Sequence, residues 1–215
     1  MSKSLVSIAI AFILGFTGIF IGLTVYQKFN PPLERPNDLP GLLWPKPKAL
    51  TDFSLLDQDA TVFDRRRIQG KWTFWYFGYT NCPDACPMAL TTMRALSEKL
   101  EMAGEVENFQ FSFVSIDPKR DTLDHLKKYV SFFDESFVAV TGDTLSLKRL
   151  TSQFGVLHVY GEEGEDGNYL VDHTTAYLLT DPSSRFVGLF RQPHDVNELF
   201  SQFLDIKKFL EDIGT

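Results

Sequence analysis

The chain has 215 residues, is 44% hydrophobic and 23% charged, and carries a net charge of -7. That length supplies a core without covalent staples, and two cysteines exclude a disulfide scaffold. The acidic balance argues against nucleic acid as a partner, and the aromatic content against wholesale disorder.

Residues 1–4 form a short tail. Between Lys3 and Lys28 no residue is charged. Residues 5–26 (LVSIAIAFILGFTGIFIGLTVY) would be about 33 Å long as a helix, enough to cross a bilayer. Gly18 and Gly22 make a GxxxG, read either as a helix-pairing face or as glycines met by chance. A cleaved signal peptide is the competing reading, but its apolar stretch is shorter and its A-x-A-like site is missing here. The expectation is an uncleaved single-pass membrane anchor over 5–26. The positive-inside signal is weak, with Lys3 before the span and Lys28 and Arg35 after it. A tail of this length stays cytoplasmic, so the remainder is expected to be exported, in a bacterium to the periplasmic side of the inner membrane. Residues 27–48 carry Pro31, Pro32, Pro36, Pro40, Pro45 and Pro47. They predict an extended, semi-rigid linker.

Residues 49–215 alternate strands and helices. Segments 50–56 and 60–63 flank Asp57-Gln58-Asp59 as a hairpin. Residues 72–79 (WTFWYFGY) are almost wholly aromatic and apolar, as in a strand buried on both faces. Helical spacing follows over 87–100, a second buried strand over 109–116, and a helix over 121–133 opening on an Asp/Thr cap signal. A strand at 137–141 and a helix at 144–154, ended by Gly155, come next. Strands at 156–160 and 169–172 flank a polar loop. Strands at 176–179 and 186–190 turn at Asp181-Pro182-Ser183-Ser184, and an amphipathic helix over 196–210 closes the chain. This order predicts an α/β sandwich around one mixed central sheet.

Both cysteines lie in Gly78-Tyr79-Thr80-Asn81-Cys82-Pro83-Asp84-Ala85-Cys86-Pro87, where the buried strand exits and a helix begins. Amide N–H groups at a helix start favour thiolate, which is both the nucleophile and the metal ligand. Four residues of helix return Cys82 and Cys86 to nearly one face, about 6 Å apart, within reach of a disulfide or of one soft metal ion. Redox chemistry, metal binding and a structural bridge are all compatible with that spacing. Asp84, between the cysteines, reads as a capping or solvent carboxylate.

A metal needs a third donor. His125 reads as solvated on a helix, His194 as near the last helix's cap, and His158 as packed or edge-exposed in a strand. His173 lies at the junction that feeds the 176–179 strand, beside the turn that carries the cysteines. Two sulfurs and one imidazole suit copper, Cu(I) above all, whereas zinc would want a fourth ligand. Asp172 is either an orienting partner of His173 or an ordinary turn residue.

Four blocks of the chain resemble the Sco/SenC family of membrane-anchored copper proteins. They are GKWTFWYFGYTNCPDACP (70–87), FVSIDPKRDT (113–122) with Leu126 and Tyr129 after it, VTGD (140–143) and YLVDHTTAYLLTDP (169–182). They occur in family order across residues 50–210, and the anchor and linker also fit. The resemblance implies a thioredoxin-like three-layer sandwich and a one-copper site made by Cys82, Cys86 and His173. It also implies a role in supplying copper to, or reducing, the binuclear copper centre of cytochrome c oxidase subunit II. Departures are small: Asn81 stands where many relatives carry another polar residue, and the turn at 182–185 has no glycine. The leading expectation is a copper metallochaperone that works by ligand exchange with a copper or thiol protein. A membrane-tethered thiol–disulfide oxidoreductase using the Cys82/Cys86 pair, and a redox or copper sensor, are the alternatives.

Overall fold

The computed structural model describes residues 3–29, 39–43, 47–104, 108–165, 167–192 and 195–214. The chain divides into two compact units, Met1–Pro36 and Asn37–Thr215.

The first unit holds helix α1 (Lys3–Phe29). Among the described residues no helix is long and apolar enough to cross a membrane. The continuous run of described side chains in α1, residues 12–26, covers about 22 Å, short of the roughly 30 Å of bilayer hydrocarbon. Residues 5–11 of the expected span lie outside the described side chains.

The second unit is built on an eight-stranded mixed sheet. Its strands are β1 (Lys48–Ala49), β2 (Ser54–Asp57), β3 (Val62–Asp64), β4 (Trp72–Gly78), β5 (Phe109–Ser115), β6 (Val138–Thr141), β9 (Tyr177–Thr180) and β10 (Arg185–Phe190). β7 (His158–Tyr160) and β8 (Val171–His173) form a separate two-stranded ribbon. The sheet order is β1-β10-β9-β4-β5-β6-β2-β3, with β4, β5 and β6 parallel and the other pairings antiparallel. β4 sits at the centre, and every one of its seven residues is buried.

Helices α2 (Ala85–Met102), α3 (Leu123–Phe133), α4 (Thr144–Phe154) and α5 (Val196–Asp212) cover the sheet. Side chains of a strand alternate between faces, and β4 shows where α4 and α5 lie. Trp72 and Phe74 meet Phe203 of α5, while Trp75 and Phe77 meet Phe154 of α4. Helices therefore cover both faces, the mixed three-layer arrangement expected of the domain.

Three differences from the sequence expectation have physical causes. α2 begins at Ala85 rather than Pro87, because a proline in the first turn forfeits only an N–H that has no helical acceptor. α3 begins at Leu123, capped by the Thr122 hydroxyl on the His125 N–H. Asp121, read as part of that cap, turns inward instead. Finally, part of the stretch read as linker is built into the sheet. Leu42 is buried, Leu43 N–H donates to Val187 O, Leu189 N–H donates to Gly41 O, and Lys48–Ala49 pairs with β10. Residues 30–38 and 44–46 of that linker lie outside the described residues.

Candidate metal centre

β4 ends at Gly78, and the chain passes through Tyr79–Thr80–Asn81 to Cys82 before entering α2. Cys82 N–H donates to the Tyr79 carbonyl at 3.3 Å. Cys86 N–H, in the first turn of α2, donates to Cys82 Sγ at 3.4 Å. Both residues are buried, but Cys82 retains 8% exposure and Cys86 none, so Cys82 is the more accessible of the two. The two are free cysteines, not joined in a disulfide. Gly78 permits this packing: a Cβ there would stand 2.6 Å from Cys86 Sγ and 3.0 Å from the Phe113 ring.

The third donor arrives from the other side of β4. β9 pairs antiparallel with β4, with Trp75 opposite Leu178. The chain leading into β9 therefore lies at the end of the sheet where β4 exits. There His173 Nε2 stands 3.6 Å from Cys86 Sγ. One ligand atom from each of Cys82, Cys86 and His173 lies within 4.8 Å of the others. His173 Nδ1 is 3.1 Å from the Thr174 carbonyl oxygen. A carbonyl only accepts, so Nδ1 donates to it, and Nε2 is the ring nitrogen turned to the sulfurs. Tyr76 and Tyr79 stand edge-on to the imidazole, with ring centroids 6.0 and 5.9 Å away.

The two thiols are unequal. Cys82 is pushed down to about 3, chiefly because it accepts a hydrogen bond from the Cys86 thiol. His173 and the backbone N–H groups of Cys86 and Asp84 support the thiolate against the opposing effect of burial. Cys86 is held far above a free thiol by donating to Cys82 and by its burial. The pair is thus one thiolate with one thiol bonded to it.

Sequence reasoning did not find the residues that hold the two segments in place. Asp121 is buried and accepts from the Thr80 N–H at 3.0 Å and the Ser115 hydroxyl at 2.6 Å, and also from the Thr80 hydroxyl. It fixes the turn two residues before Cys82. Tyr79 OH accepts from the Val171 N–H at 3.2 Å, tying β8 to the same turn. Arg120 lies 3.5 Å over the Tyr169 ring, donates to the Tyr169 carbonyl and pairs with the buried Asp117. A signal was present: four charged residues crowd Asp117-Pro118-Lys119-Arg120-Asp121 between a buried strand and a helix.

Asp172 does not orient His173. Neighbours on a strand point to opposite faces; Asp172 is exposed, and the Thr174 carbonyl occupies Nδ1. Asp84 occupies the N-cap position of α2, but its side chain makes no capping bond. His125 is exposed, with Nδ1 3.4 Å from Thr80 Oγ1. His158 is the cross-strand partner of His173, and burial together with the His173 charge lowers its pKa. His194 lies outside the described residues.

The SCO1/SenC family model matches residues 45–208. The SCO1 homolog 1 of Arabidopsis thaliana, a mitochondrial protein, is 35% identical over 147 residues, 68% of this chain and 43% of its own length. A putative copper-binding protein of Stutzerimonas stutzeri is 36% identical over 71% of this chain and 74% of its own. Among solved structures, Arabidopsis thaliana ScoI with copper bound superposes with a TM-score of 0.69 at 32% identity. It covers 74% of this chain and 97% of that one.

Proposed function

The chain belongs to the SCO1/SenC family, and from that premise we propose that it is a copper metallochaperone in cytochrome c oxidase assembly. In this reading Cys82, Cys86 and His173 hold one copper ion as cargo and pass it to the binuclear copper centre of subunit II, or keep that centre reduced. One observation carries the reading. Two sulfurs and an imidazole nitrogen, from segments 87 residues apart, lie within mutual reach of one ion. Their chemistry fits: soft thiolates with one imidazole favour Cu(I) over hard cations. Cys82 is already a thiolate, so that donor need lose no proton to bind. A partner offering a comparable set takes the ion by ligand exchange, and no bond of a substrate is broken.

We assign residues 5–26 as the membrane anchor and the second unit to the exported side, on the uncharged length of that segment. Protection of the N-terminus and digestion of the domain by protease added outside spheroplasts is the expected result.

The test is an anaerobic Cu(I) titration of the reduced full-length chain in detergent, against a competing chelator. One ion per chain is expected, with affinity falling by about tenfold or more in each of Cys82→Ser, Cys86→Ser and His173→Ala. Wild-type affinity in His173→Ala would sink the copper reading.

The asymmetry of the thiols supports a second activity on the same residues, reduction of a partner disulfide. Cys82 thiolate would attack one partner sulfur, releasing the other as thiolate. Cys86, giving up its proton, would then displace the partner from Cys82. Cys82 and Cys86 end as a disulfide and the partner gains the two electrons. His173→Ala distinguishes the two, since exchange does not require the imidazole.

A further inference from the structure

The ribbon β7–β8 places a second imidazole beside His173. Gly161 N–H donates to Leu170 O at 2.8 Å, and Thr174 N–H donates to Leu157 O at 3.0 Å. Hydrogen-bonded and non-hydrogen-bonded rungs alternate along an antiparallel ladder. His158 and His173 are direct partners one rung from the Leu157/Thr174 pair, so they occupy a non-hydrogen-bonded rung. There Cα atoms are only about 4.5 Å apart and side chains are closest. Directly opposed residues project from the same face. The His158 ring is half-buried and stands edge-on to Tyr160 at 5.7 Å. Among the described residues no hydrogen bond or ion pair ties it down. It lies outside the set of three donors that are mutually within 4.8 Å, although its backbone is already in register with that of His173.

We propose that His158 is a conditional fourth ligand: the three donors suffice for Cu(I), and His158 turns onto the ion when the site holds a divalent one. This rests on the copper reading of Cys82, Cys86 and His173. Two thiolates and one imidazole satisfy a soft monovalent ion, whereas Zn(II) takes four ligands in a closed site and Cu(II) favours added nitrogen. Rotation of one side chain converts an S2N site into an S2N2 site without moving the strand. The oxidation state of the ion then sets how many bonds must break before it leaves, so Cu(I) is the form released more readily.

Three measurements on the full-length reduced chain, beside His158→Ala and His158→Asn, test this. They are Cu(I) competition titration, Zn(II) competition titration, and pulsed electron paramagnetic resonance counting imidazoles on Cu(II). In both variants Zn(II) affinity should fall by about tenfold or more, while Cu(I) affinity stays at the wild-type value. The imidazole count on Cu(II) should drop from two to one. A single imidazole in the wild type, or unchanged Zn(II) affinity in the variants, would overturn the assignment. So would an equal loss for both metals, because His158 would then be unconditional. Failure of the copper reading looks different: Cu(I) binding would be absent in the wild type or indifferent to His173→Ala, whatever His158 does.

Discussion

At the scale of residues, the thiolate–thiol pair governs reactivity and its pH dependence. An ordinary cysteine with a pKa near 8.5 loses reactivity about tenfold per pH unit below that value. Cys82, pushed down to about 3 by its bond from Cys86, should react with iodoacetamide at a nearly constant rate from pH 5 to 8. Mass spectrometry should place the adduct on Cys82 alone, and an alkylation rate that falls tenfold between pH 7 and pH 6 would contradict the assigned bond. The same shifts act on stability. Between about 3 and about 8.5 the unfolded reduced chain holds one more proton on this pair than the folded chain, so stability rises with pH. Above about 8.5 the order reverses, because Cys86 is held as a thiol. The pair's contribution therefore peaks near the pKa of a free thiol, and Cys82→Ser should flatten the low-pH limb.

At the scale of elements, β4 and α2 meet through Gly78. Gly78→Ala would drive a methyl group into Cys86 Sγ and Phe113. We expect a loss of about 1–3 kcal/mol in denaturant unfolding together with weaker Cu(I) binding, since the sulfur is what must yield. The elements that position the site were legible because their patterns were strong. The aromatic run of β4 and the chain order of β9 placed Cys82, Cys86 and His173 together. What escaped was local. A carboxylate followed by threonine looks like a cap whichever of the two bonds the helix, and only the buried hydroxyl of Ser115 and the Thr80 amide explain why Asp121 faces inward. Likewise the adjacency of Asp172 and His173 in sequence concealed that strand pleating sends them to opposite faces.

At the scale of the whole molecule, the folded unit is larger than its pattern of strands and helices suggested. Six prolines marked residues 27–48 as a linker, yet Leu39 and Leu43 pack against the core and Leu42 is buried beside Gly188. The apolar triplet inside the proline-rich run was the available sign. Leu42→Ala should destabilise the domain by about 2–5 kcal/mol, read as a lower urea midpoint, whereas a free spacer would show no change. The pairing of β4 with β9 has a consequence for quality control. Neither half of the molecule alone can offer three donors; they converge only once the centre of the sheet has zipped. A chain stalled before that step displays two loose thiols and retains copper poorly. The three-donor set is thus itself a report of correct assembly, absent from misfolded copies and lost by any copy that comes apart.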